Sequence, residues 1–351
     1  MKLLPYVISS RVRLARNIKQ HRFPHAASTE ERQAVCECIC RIVRTNPRFQ
    51  GAELIEIDGL TPLERKVLEE QYVISHTFAS QGSSRLLVLQ KAQNTSILVN
   101  EEDHLRIQGF SSGFHLQEAW QRARQVETSL EECLDFAYAD PYGYLTTCPR
   151  NAGLGLRASV LMFIPGILML KRMRPLINHC ISAGYTLRGM YGEGSESQGY
   201  LLQISNQRAE ERNALRLLED LQTMCHRIIL QEQRARTYLL RNSARIFRKE
   251  FERARVLLCT AQALDVPAAM QILGIYRLGI SSGTIPVVPL FRHKKLQRID
   301  QLFIQIQPAH IYQYVLQHDY AASSCGYNLQ NDHPDIIRAT LMRQSLTNTQ
   351  L

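Results

Sequence analysis

The sequence predicts an α+β fold in which a mixed part of strands and helices is followed by an all-helical tail. Three observations predict it. The chain has 351 residues, which is room for one large domain or two ordinary ones. As far as Ser205, short runs with strand periodicity alternate with helical stretches. Beyond Ser205 the pattern is almost entirely helical.

The elements of the first part follow from local periodicity. Residues 7–14 alternate apolar and arginine positions, which is typical of a strand, and residues 30–44 have helical spacing. Phe114 to Tyr138 is predicted as one long amphipathic helix, broken by the Asp-Pro-Tyr-Gly sequence that begins at Asp140. A further helix is predicted within 156–176, ending near Pro165. The remaining predicted strands are 52–57, 85–89, 96–99, 186–187 and 200–204.

The tail begins with an almost continuous helical pattern over residues 210–263, rich in Leu, Arg and Glu. Another helical stretch starts at the Asp-Val-Pro sequence that begins at Asp265, and more follow as far as Gln344. The boundary between the two parts is predicted between residues 231 and 242. We therefore divide the chain into a domain of residues 1–236 and a helical domain of residues 237–351.

Composition narrows the class of protein. Hydrophobic residues make up 45% and charged residues 21%, which is an ordinary globular balance. The longest apolar run, Val160 to Leu170, is too short to cross a bilayer, and the first residues lack the apolar core of a secretion signal. Nine cysteines cannot all pair within one chain, so we expect free thiols, a cytoplasmic protein and no membrane contact. Three of them alternate along a helix and cannot face one ion, so no metal site is predicted.

The net charge is +10, and 34 of the 42 basic residues are arginines, which suggests an acidic partner. Nucleic-acid binding by the tail is one alternative, but no aromatic stacking set accompanies the basic residues. A solvated or dimer-facing helix is the preferred interpretation of that segment. Its basic residues are Arg234, Arg236, Arg241, Arg245, Arg248, Lys249, Arg253 and Arg255.

Two polar segments are associated with predicted strands: the first lies within one, and the second follows one. In the first, SSRVRLAR over residues 9–16, Arg11 and Arg13 share one face of the strand and would repel each other unless an anion lay between them. Two solvated arginines are an equally good interpretation of this segment alone. In the second, NEEDHLR over residues 100–106, an extended chain would place Glu102, His104 and Arg106 on one face. Crowded acids raise at least one carboxylate pKa, as a general base or a metal site requires, although a solvated turn is the alternative.

Two further segments are rich in glycine. Residues 146–159, TTCPRNAGLGLRAS, place Cys148 before a Gly-bearing turn that could present a reactive thiolate, with a buried structural cysteine as the alternative. Residues 188–196, RGMYGEGSE, form a loop able to approach a ligand closely. Standard nucleotide-binding and protein-kinase motifs are missing. If the chain handles ATP, it must therefore use a cradle of arginines.

In order and spacing, these four segments resemble the guanidino (phosphagen) kinases, and most closely their bacterial protein-arginine kinase branch of the McsB type. Three details favour that branch: the first motif begins at Ser9, without room for the usual N-terminal helical domain; Tyr191 stands where metabolic enzymes place an arginine; and a helical tail follows. The resemblance implies a phosphagen-kinase-like catalytic domain, a mostly antiparallel sheet flanked by helices, followed by an all-helical domain.

The activity implied by the resemblance is transfer of the γ-phosphoryl group of Mg-ATP to arginine side chains of proteins. The cofactors are then ATP and Mg²⁺. The partners are protein substrates with exposed arginines, an activator protein, a Clp-type chaperone-protease that receives the marked proteins in the stress response, and a second copy in a homodimer.

Roles are carried over residue by residue. Glu102 is the general base, Asp103 or Glu101 orients the guanidinium, and Cys148 contacts it as a thiolate. His76 is a loose match to a histidine near the adenine. The other residues that match the nucleotide site are Ser9, Ser10, Arg11, Val12, Arg13, Arg106, Arg157, Ala158, Ser159, Val160, Leu161, Arg188, Gly189, Met190, Tyr191, Gly192 and Glu193.

Two departures bear on function. Arg150 stands where the family usually has a threonine after Cys-Pro, which adds a charge beside the thiol. In the tail, the family's phosphoarginine-sensing motif loses its first arginine to Pro334, leaving Asp335 and Arg338 as a doubtful allosteric site. The alternative function is therefore a catalytically weak or silent member that binds ATP as an adaptor or regulator.

Overall fold

The computed structural model describes residues 5–189, 198–207, 213–317 and 334–347. Its strands are β1 (Val7–Arg16), β2 (Glu53–Glu56), β3 (Leu86–Gln90), β4 (Thr95–Val99), β5 (Leu105–Ser112), β6 (Tyr138–Ala139), β7 (Gly143–Tyr144), β8 (Leu156–Phe163), β9 (Tyr185–Gly189) and β10 (Leu201–Asn206). Its helices are α1 (Thr29–Thr45), α2 (Pro62–Glu70), α3 (His76–Ser80), α4 (Leu116–Glu131), α5 (Pro165–Met169), α6 (Met173–Ser182), α7 (Ala214–Asn242), α8 (Ala244–Thr260), α9 (Val266–Ser282), α10 (Pro289–Gln305), α11 (Pro308–Gln317) and α12 (Pro334–Thr347).

Eight of the strands form one sheet in the order β2-β3-β4-β5-β1-β8-β10-β9, and every pairing is antiparallel. The predicted α+β class, with an antiparallel sheet flanked by helices and a helical C-terminal region, is therefore confirmed. β1 lies in the middle, between β5 and β8. Residues 7–16 thus sit where a ligand on the sheet would contact several strands at once.

One face of the sheet is apolar and packs on α1, α4 and α7. Val12, Leu14 and Val160 lie on this face, which follows from the alternation of side chains along a strand. Helix α4 approaches β5 so closely that a Cβ atom on Gly109 would lie 2.1 Å from the carbonyl oxygen of Ala119. Only glycine fits there, and the close approach fixes α4 against the centre of the sheet.

The opposite face is polar in its middle and covered only at its two sides. At one side α2 and α3 pack on β3 and β4 through a small cluster that includes Ile74 and Phe78. At the other side the tail helices α9 and α10 pack on β8 and β10 around Phe163 and Leu201. A cleft floored by the middle strands is left between the two coverings.

The tail is fixed to the sheet domain by buried ion pairs. Glu232 on α7 accepts a hydrogen bond from Nε of Arg236 at 2.6 Å and from the backbone N–H groups of Gly166 and Ile167 at the start of α5. Arg236 also donates to the carbonyl oxygens of Pro5 and Phe163. Arg236 is therefore a structural residue, and its inclusion among the basic residues of a nucleic-acid-binding helix was wrong.

Two predicted elements needed correction. The helix predicted within 156–176 to end near Pro165 is instead strand β8, and Pro165 lies in the first turn of α5. An unbroken apolar run fits a buried strand as well as a helix, and proline is tolerated in the first helical turn. The helix predicted over 114–138 ends at Glu131, because the chain turns there to bring Phe136 into a β-bridge with Ile18.

The predicted helix over 210–263 is two helices that meet at Ser243, and β5 was not predicted as a strand. None of the described helices is both long and apolar enough to cross a membrane. Eight cysteines in the described ranges are free thiols.

Candidate active site

The arginines picked out in the sequence share the polar face of the sheet. Arg11 and Arg13 on β1 lie opposite Ser159 and Arg157 on β8, and Gln108 of β5 lies opposite Arg13. By the same alternation, Arg106 of β5 and Arg188 of β9 lie on this face. Four sequence motifs far apart in the chain thus converge because β5, β1, β8, β10 and β9 are consecutive in the sheet.

The arginine cluster, defined as Arg11, Arg13, Arg106, Arg157 and Arg188, has strong mutual repulsion. Burial, and then repulsion from Arg106 and Arg157, lowers the pKa of Arg11 to about 10. Burial and the same neighbours, with Arg11 added, hold the pKa of Arg13 well below its ordinary value. Burial and then Arg188 lower the pKa of Arg157. This part of the sheet is thus built to receive negative charge.

Unused donors in the cluster indicate the same ligand class. Nε of Arg13 and Nε of Arg157 are buried and have no hydrogen-bond partner in the structure. Buried donors of this kind are rare in folded proteins unless a ligand completes them. They face a cavity of about 610 Å³ whose lining includes all five arginines of the cluster. A polyphosphate is a chemical match for this set, since arginine forks bind phosphate oxygens in pairs.

The acidic segment is a tight hairpin turn between β4 and β5. Asn100 adopts a left-handed conformation with φ of 62°, and its N–H donates to the carbonyl oxygen of His104 at 2.9 Å. The extended arrangement considered for Glu102, His104 and Arg106 is therefore wrong. Asparagine is one of the few residues that enters the left-handed region readily, and so it starts the turn.

The turn gives its three acids different surroundings. Glu101 forms a salt bridge with Arg106, whose Nη1 donates to Glu101 Oε1 at 2.7 Å, and it accepts a bond from the Ser75 hydroxyl. Asp103 is buried and accepts from the Asn17 side chain at 2.7 Å. Glu102 is exposed and forms no ion pair within the described residues. Although much of the Glu102 side chain is accessible, its carboxylate is partly desolvated by the surrounding protein, and this desolvation, followed by the charge of Asp103, raises the pKa of Glu102 above its ordinary value.

His104 leaves the site altogether. It is fully buried, its Nδ1 accepts from the backbone N–H of Ile18 at 3.1 Å, and its Nε2 lies 2.9 Å from the carbonyl oxygen of Arg22. Burial lowers its pKa to about 4, so it is a neutral structural residue at ordinary pH.

The cysteine loop is tied to the acidic turn through Asp103. The backbone N–H of Thr147, next to Cys148, donates to Asp103 Oδ1 at 2.7 Å. Cys148 is half-buried. Asp103 is thus a brace between the two motifs, and Glu102 is the acid left free to meet a substrate.

A second brace comes from Arg16 at the end of β1. Its guanidinium pairs with buried Glu127, stacks on the ring of Tyr144 and donates to the carbonyl oxygen of Leu154 at 3.0 Å. Gly155 has a φ of +57°, and a Cβ atom there would lie 2.4 Å from Arg16 Nη1. The sequence of this loop therefore needs its glycine, both for conformation and for space.

Arg150 lies in the short turn Pro149–Asn151 that follows Cys148, and its side chain is exposed. The charge of Arg150 therefore points to solvent. The loop's hydrogen bonds to Asp103 and Arg16 are formed by Thr147 and Leu154 and do not involve Arg150.

Several predicted residues do not present side chains to the cleft. Ser10, Val12, Ala158 and Val160 lie on the apolar face, where Ser10 donates to Gly113 and accepts from His115. Neighbouring positions of a strand face opposite ways, so these four side chains point away from the cleft. Their place in the nucleotide site remains a prediction from the resemblance. Ser9, Ser159 and Leu161 do line a cavity on the polar face, and Gly189 lines the cavity beside the arginine cluster. Met190, Tyr191, Gly192 and Glu193 lie outside the described residues.

His76 lies at the rim of the arginine-lined cavity, exposed, with Nδ1 3.3 Å from a carboxylate oxygen of Glu69. His76 is therefore not a packed core histidine.

The doubtful allosteric pair in the tail is a structural clasp. Arg338 is buried, and its guanidinium donates to the carbonyl oxygens of Ile306 and Leu264 at 2.7 Å and to the Asp335 carboxylate. Nε and Nη1 of Arg338 are thus engaged by groups of the fold itself. A sensing role for Asp335 and Arg338 remains a prediction that these contacts do not favour.

Sequence reasoning missed residues that complete the site. Asn17 joins Asp103 to the cysteine loop, and its side-chain oxygen accepts from the N–H of His104. Gln108 and Gln203 extend the polar face beside the arginines. Gln108 could have been found from the alternation of side chains along a strand. It lies two residues after Arg106, as Arg13 lies two residues after Arg11, and so it shares the face of Arg106.

Comparisons with known proteins agree with this geometry. Residues 34–235 match the family described as ATP:guanido phosphotransferase, C-terminal catalytic domain. Residues 244–351 match the family described as Protein-arginine kinase McsB C-terminal domain. The chain is 34% identical to a protein-arginine kinase of Pelotomaculum thermopropionicum and 35% identical to one of Brevibacillus brevis, covering 97% of this chain and 92% and 91% of those proteins.

Solved structures show the same architecture for the sheet part. The duplicated taurocyamine kinase of Schistosoma mansoni, with bound transition state analog components, has a TM-score of 0.57 and 25% identity over 65% of this chain and 33% of that one. Lombricine kinase has a TM-score of 0.57 and 21% identity over 66% of this chain and 67% of that one, which supports the fold alone.

Proposed function

This chain belongs to the protein-arginine kinase family and is a phosphotransferase, and we propose that it transfers the γ-phosphoryl group of ATP to arginine side chains of proteins. The observation that carries the proposal is the arginine cluster beside a free carboxylate. Guanidinium groups with unused donors suit the phosphates, and the single unpaired acid of the turn suits a cationic acceptor.

In the proposed mechanism, Arg11, Arg13 and Arg157 hold the polyphosphate and offset the charge that spreads over the transferred group. Their donors are already positioned by β1 and β8, so little reorganisation is needed when the nucleotide binds. Arg106 is held by Glu101, which fixes the direction of its fork toward the phosphates. We propose that Mg²⁺ enters with the nucleotide, since no group of His, Cys, Asp and Glu in the described ranges could hold an ion alone.

The acceptor guanidinium is a poor nucleophile because its pKa lies above about 12. We propose that Glu102 takes a proton from the attacking nitrogen and that the raised pKa of Glu102 makes it a better base. Asp103 acts through the loop it braces and so positions Cys148, which is proposed to contact the guanidinium as a thiolate. Glu101 orients Arg106 and is not itself in contact with the acceptor.

The wider biology is proposed from the family resemblance. Residues 1–236 are proposed as the catalytic domain and 237–351 as a dimerisation and regulatory domain, although α7 runs continuously across this boundary. The proposed partners are proteins with exposed arginines, an activator protein and a Clp-type chaperone-protease that degrades the marked proteins under stress. The free thiols support the proposed cytoplasmic location.

The test is to incubate the full chain with ATP and an unfolded arginine-bearing protein and to measure acid-labile phosphate. We expect phosphoarginine from the wild type and a loss of about 10²–10⁴-fold in rate for Glu102→Gln. Glu132→Gln, an exposed acid at the end of α4, is the matched control and should match the wild type. ATP binding without transfer would favour the silent adaptor, and transfer to free arginine alone would favour a metabolic kinase.

A further inference from the structure

A second cavity adjoins the arginine cluster on the side away from the acidic turn. It has a volume of about 430 Å³, and its floor includes Ser9, Leu161 and Gln203 from three strands of the polar face. Arg11, Tyr72 and Gln203 line both this cavity and the arginine-lined one. The two spaces are therefore contiguous, and a single elongated ligand can occupy both.

The opposite wall of the second cavity belongs to the helical tail. Gln297, Gln301, Phe303 and Ile304 of α10, named here the tail wall, face the strands across it. Asp300 also lies in the lining, but its carboxylate is paired with Arg277, whose Nε donates at 2.6 Å. The tail wall thus offers apolar surface and amide groups without a free negative charge.

We propose that the tail wall holds the base and ribose of the nucleotide, so that the helical tail is part of the nucleotide site. The inference rests on the proposed function and adds to it the part of the ligand beyond the phosphates. Apolar side chains with a few amide groups are the usual lining for a heterocycle. The order along β1 is consistent with this, because Ser9 and Arg13 are separated by about 13 Å of strand at roughly 3.3 Å per residue.

A buried carboxylate latches the tail wall to the catalytic part. Glu70 at the end of α2 accepts from the backbone N–H groups of Ala309 and His310 at 2.9 and 3.1 Å, and from Nδ1 of His310 at 2.8 Å. These are the free donors in the first turn of α11, where a negative charge is favoured. The corner between α10 and α11, which includes Gln307 and Pro308 in the lining of the arginine-lined cavity, is therefore held in place by Glu70.

Ligand binding distinguishes a tail that contacts the nucleotide from a tail that only supports the fold. If the tail wall contacts the base, changes to it will weaken the binding of ATP but not of a triphosphate that lacks the nucleoside. Glu70 also lines the arginine-lined cavity, but both of its carboxylate oxygens are engaged by donors of α11. We therefore assign it as a positioning residue, which acts by setting the place of the corner.

The experiment titrates full-length protein with ATP and, separately, with inorganic tripolyphosphate. Ile304→Trp narrows the cavity from the tail side, and Lys294→Trp is the matched control, an exposed position on α10 outside the lining. We expect Ile304→Trp to weaken ATP binding by at least about tenfold and to change tripolyphosphate binding by less than about twofold. Glu70→Gln should weaken ATP selectively in the same way, while Lys294→Trp matches the wild type for both ligands.

The proposal is overturned if Ile304→Trp and Glu70→Gln bind ATP like the wild type, or if they lose ATP and tripolyphosphate to the same extent. A different result would contradict the proposed function itself: the wild-type protein would then bind neither ATP nor tripolyphosphate. The unfolding midpoint of each unliganded variant shows whether that variant is still folded. If Ile304→Trp is not folded, Gln301→Ala on the exposed side of the wall takes its place, and we again expect weaker binding of ATP with little change in the binding of tripolyphosphate.

Discussion

Replacing Arg11 with methionine should make the unliganded protein more stable and the enzyme inactive. Burial and the neighbouring arginines lower the pKa of Arg11 to about 10, well below the ordinary value of an arginine. Because the unfolded chain keeps the higher value, the charge on Arg11 costs free energy of folding at any pH below about 10, and this cost fades only as the pH rises above that value. At about 1.4 kcal/mol for each pH unit, the charge costs the fold about 3 kcal/mol at neutral pH.

The net gain is smaller than that figure, because solvent reaches part of the side chain and Arg11 donates a long bond of 3.4 Å to the carbonyl oxygen of Tyr72. We expect Arg11→Met to raise the free energy of unfolding by about 1–2 kcal/mol, since methionine keeps the length of the side chain without its charge. ATP binding should weaken by at least about tenfold, because one charge-assisted contact to phosphate is lost.

The assay is urea denaturation with and without ATP, together with ATP titration. A gain of this size moves the urea midpoint upward by about 1 M, because the free energy of unfolding ordinarily falls by about 1–3 kcal/mol for each M of urea. Arg11→Lys is the control that keeps the charge and loses the fork, so it should show no gain in stability and a partial loss of binding. A methionine variant less stable than the wild type, or one that binds ATP normally, refutes the reasoning.

Four further outcomes are expected. The turnover number should fall as the pH drops through the raised pKa of Glu102, and this acid limb should disappear from the residual rate of Glu102→Gln in a pH profile. Asp103→Asn weakens the brace to Thr147, so turnover should fall about 10–100-fold while the dissociation constant for ATP stays unchanged in a direct titration. Arg338→Met leaves two buried carbonyl oxygens without donors and should cost about 2–4 kcal/mol in urea denaturation. Added phosphoarginine should leave wild-type activity unchanged; activation by it would contradict the structural role of Arg338.

Prediction from sequence succeeded where a pattern repeats over several residues. The period of two in residues 7–14 identified β1 and the shared face of Arg11 and Arg13. It failed at the apolar run from Val160, because this half of β8 is buried on one face and covered by the tail on the other, so that it lacks the polar positions that Arg157 and Ser159 provide in the first half. Pro165 was predicted to end a helix, but it begins α5. Proline is accepted in the first turn of a helix as well as beyond its end, so the residue alone does not tell the two apart.

The roles of the site residues could not be predicted from sequence, because they depend on contacts with other parts of the chain. Which acid is free depends mostly on partners distant in sequence: Ser75 for Glu101, which also pairs with nearby Arg106, and Asn17 and Thr147 for Asp103. No spacing rule within the EED sequence contains that information. The contribution of α10 to the second cavity is equally invisible, because it depends on how the tail packs against β8 and β10.

The two faces of β1 make folding and ligand binding depend on one register. A shift of β1 by one residue would carry the arginines into the apolar core and the core residues into the cleft, so the register that buries Val12 and Leu14 is also the one that presents Arg11 and Arg13. Burial against α1, α4 and α7 provides stability on one face, while the unpaired cations reduce it on the other. A polyphosphate that supplies the missing negative charge therefore stabilises the folded state as it binds, and the thermal midpoint should rise with ATP concentration in the wild type more than in Arg11→Met.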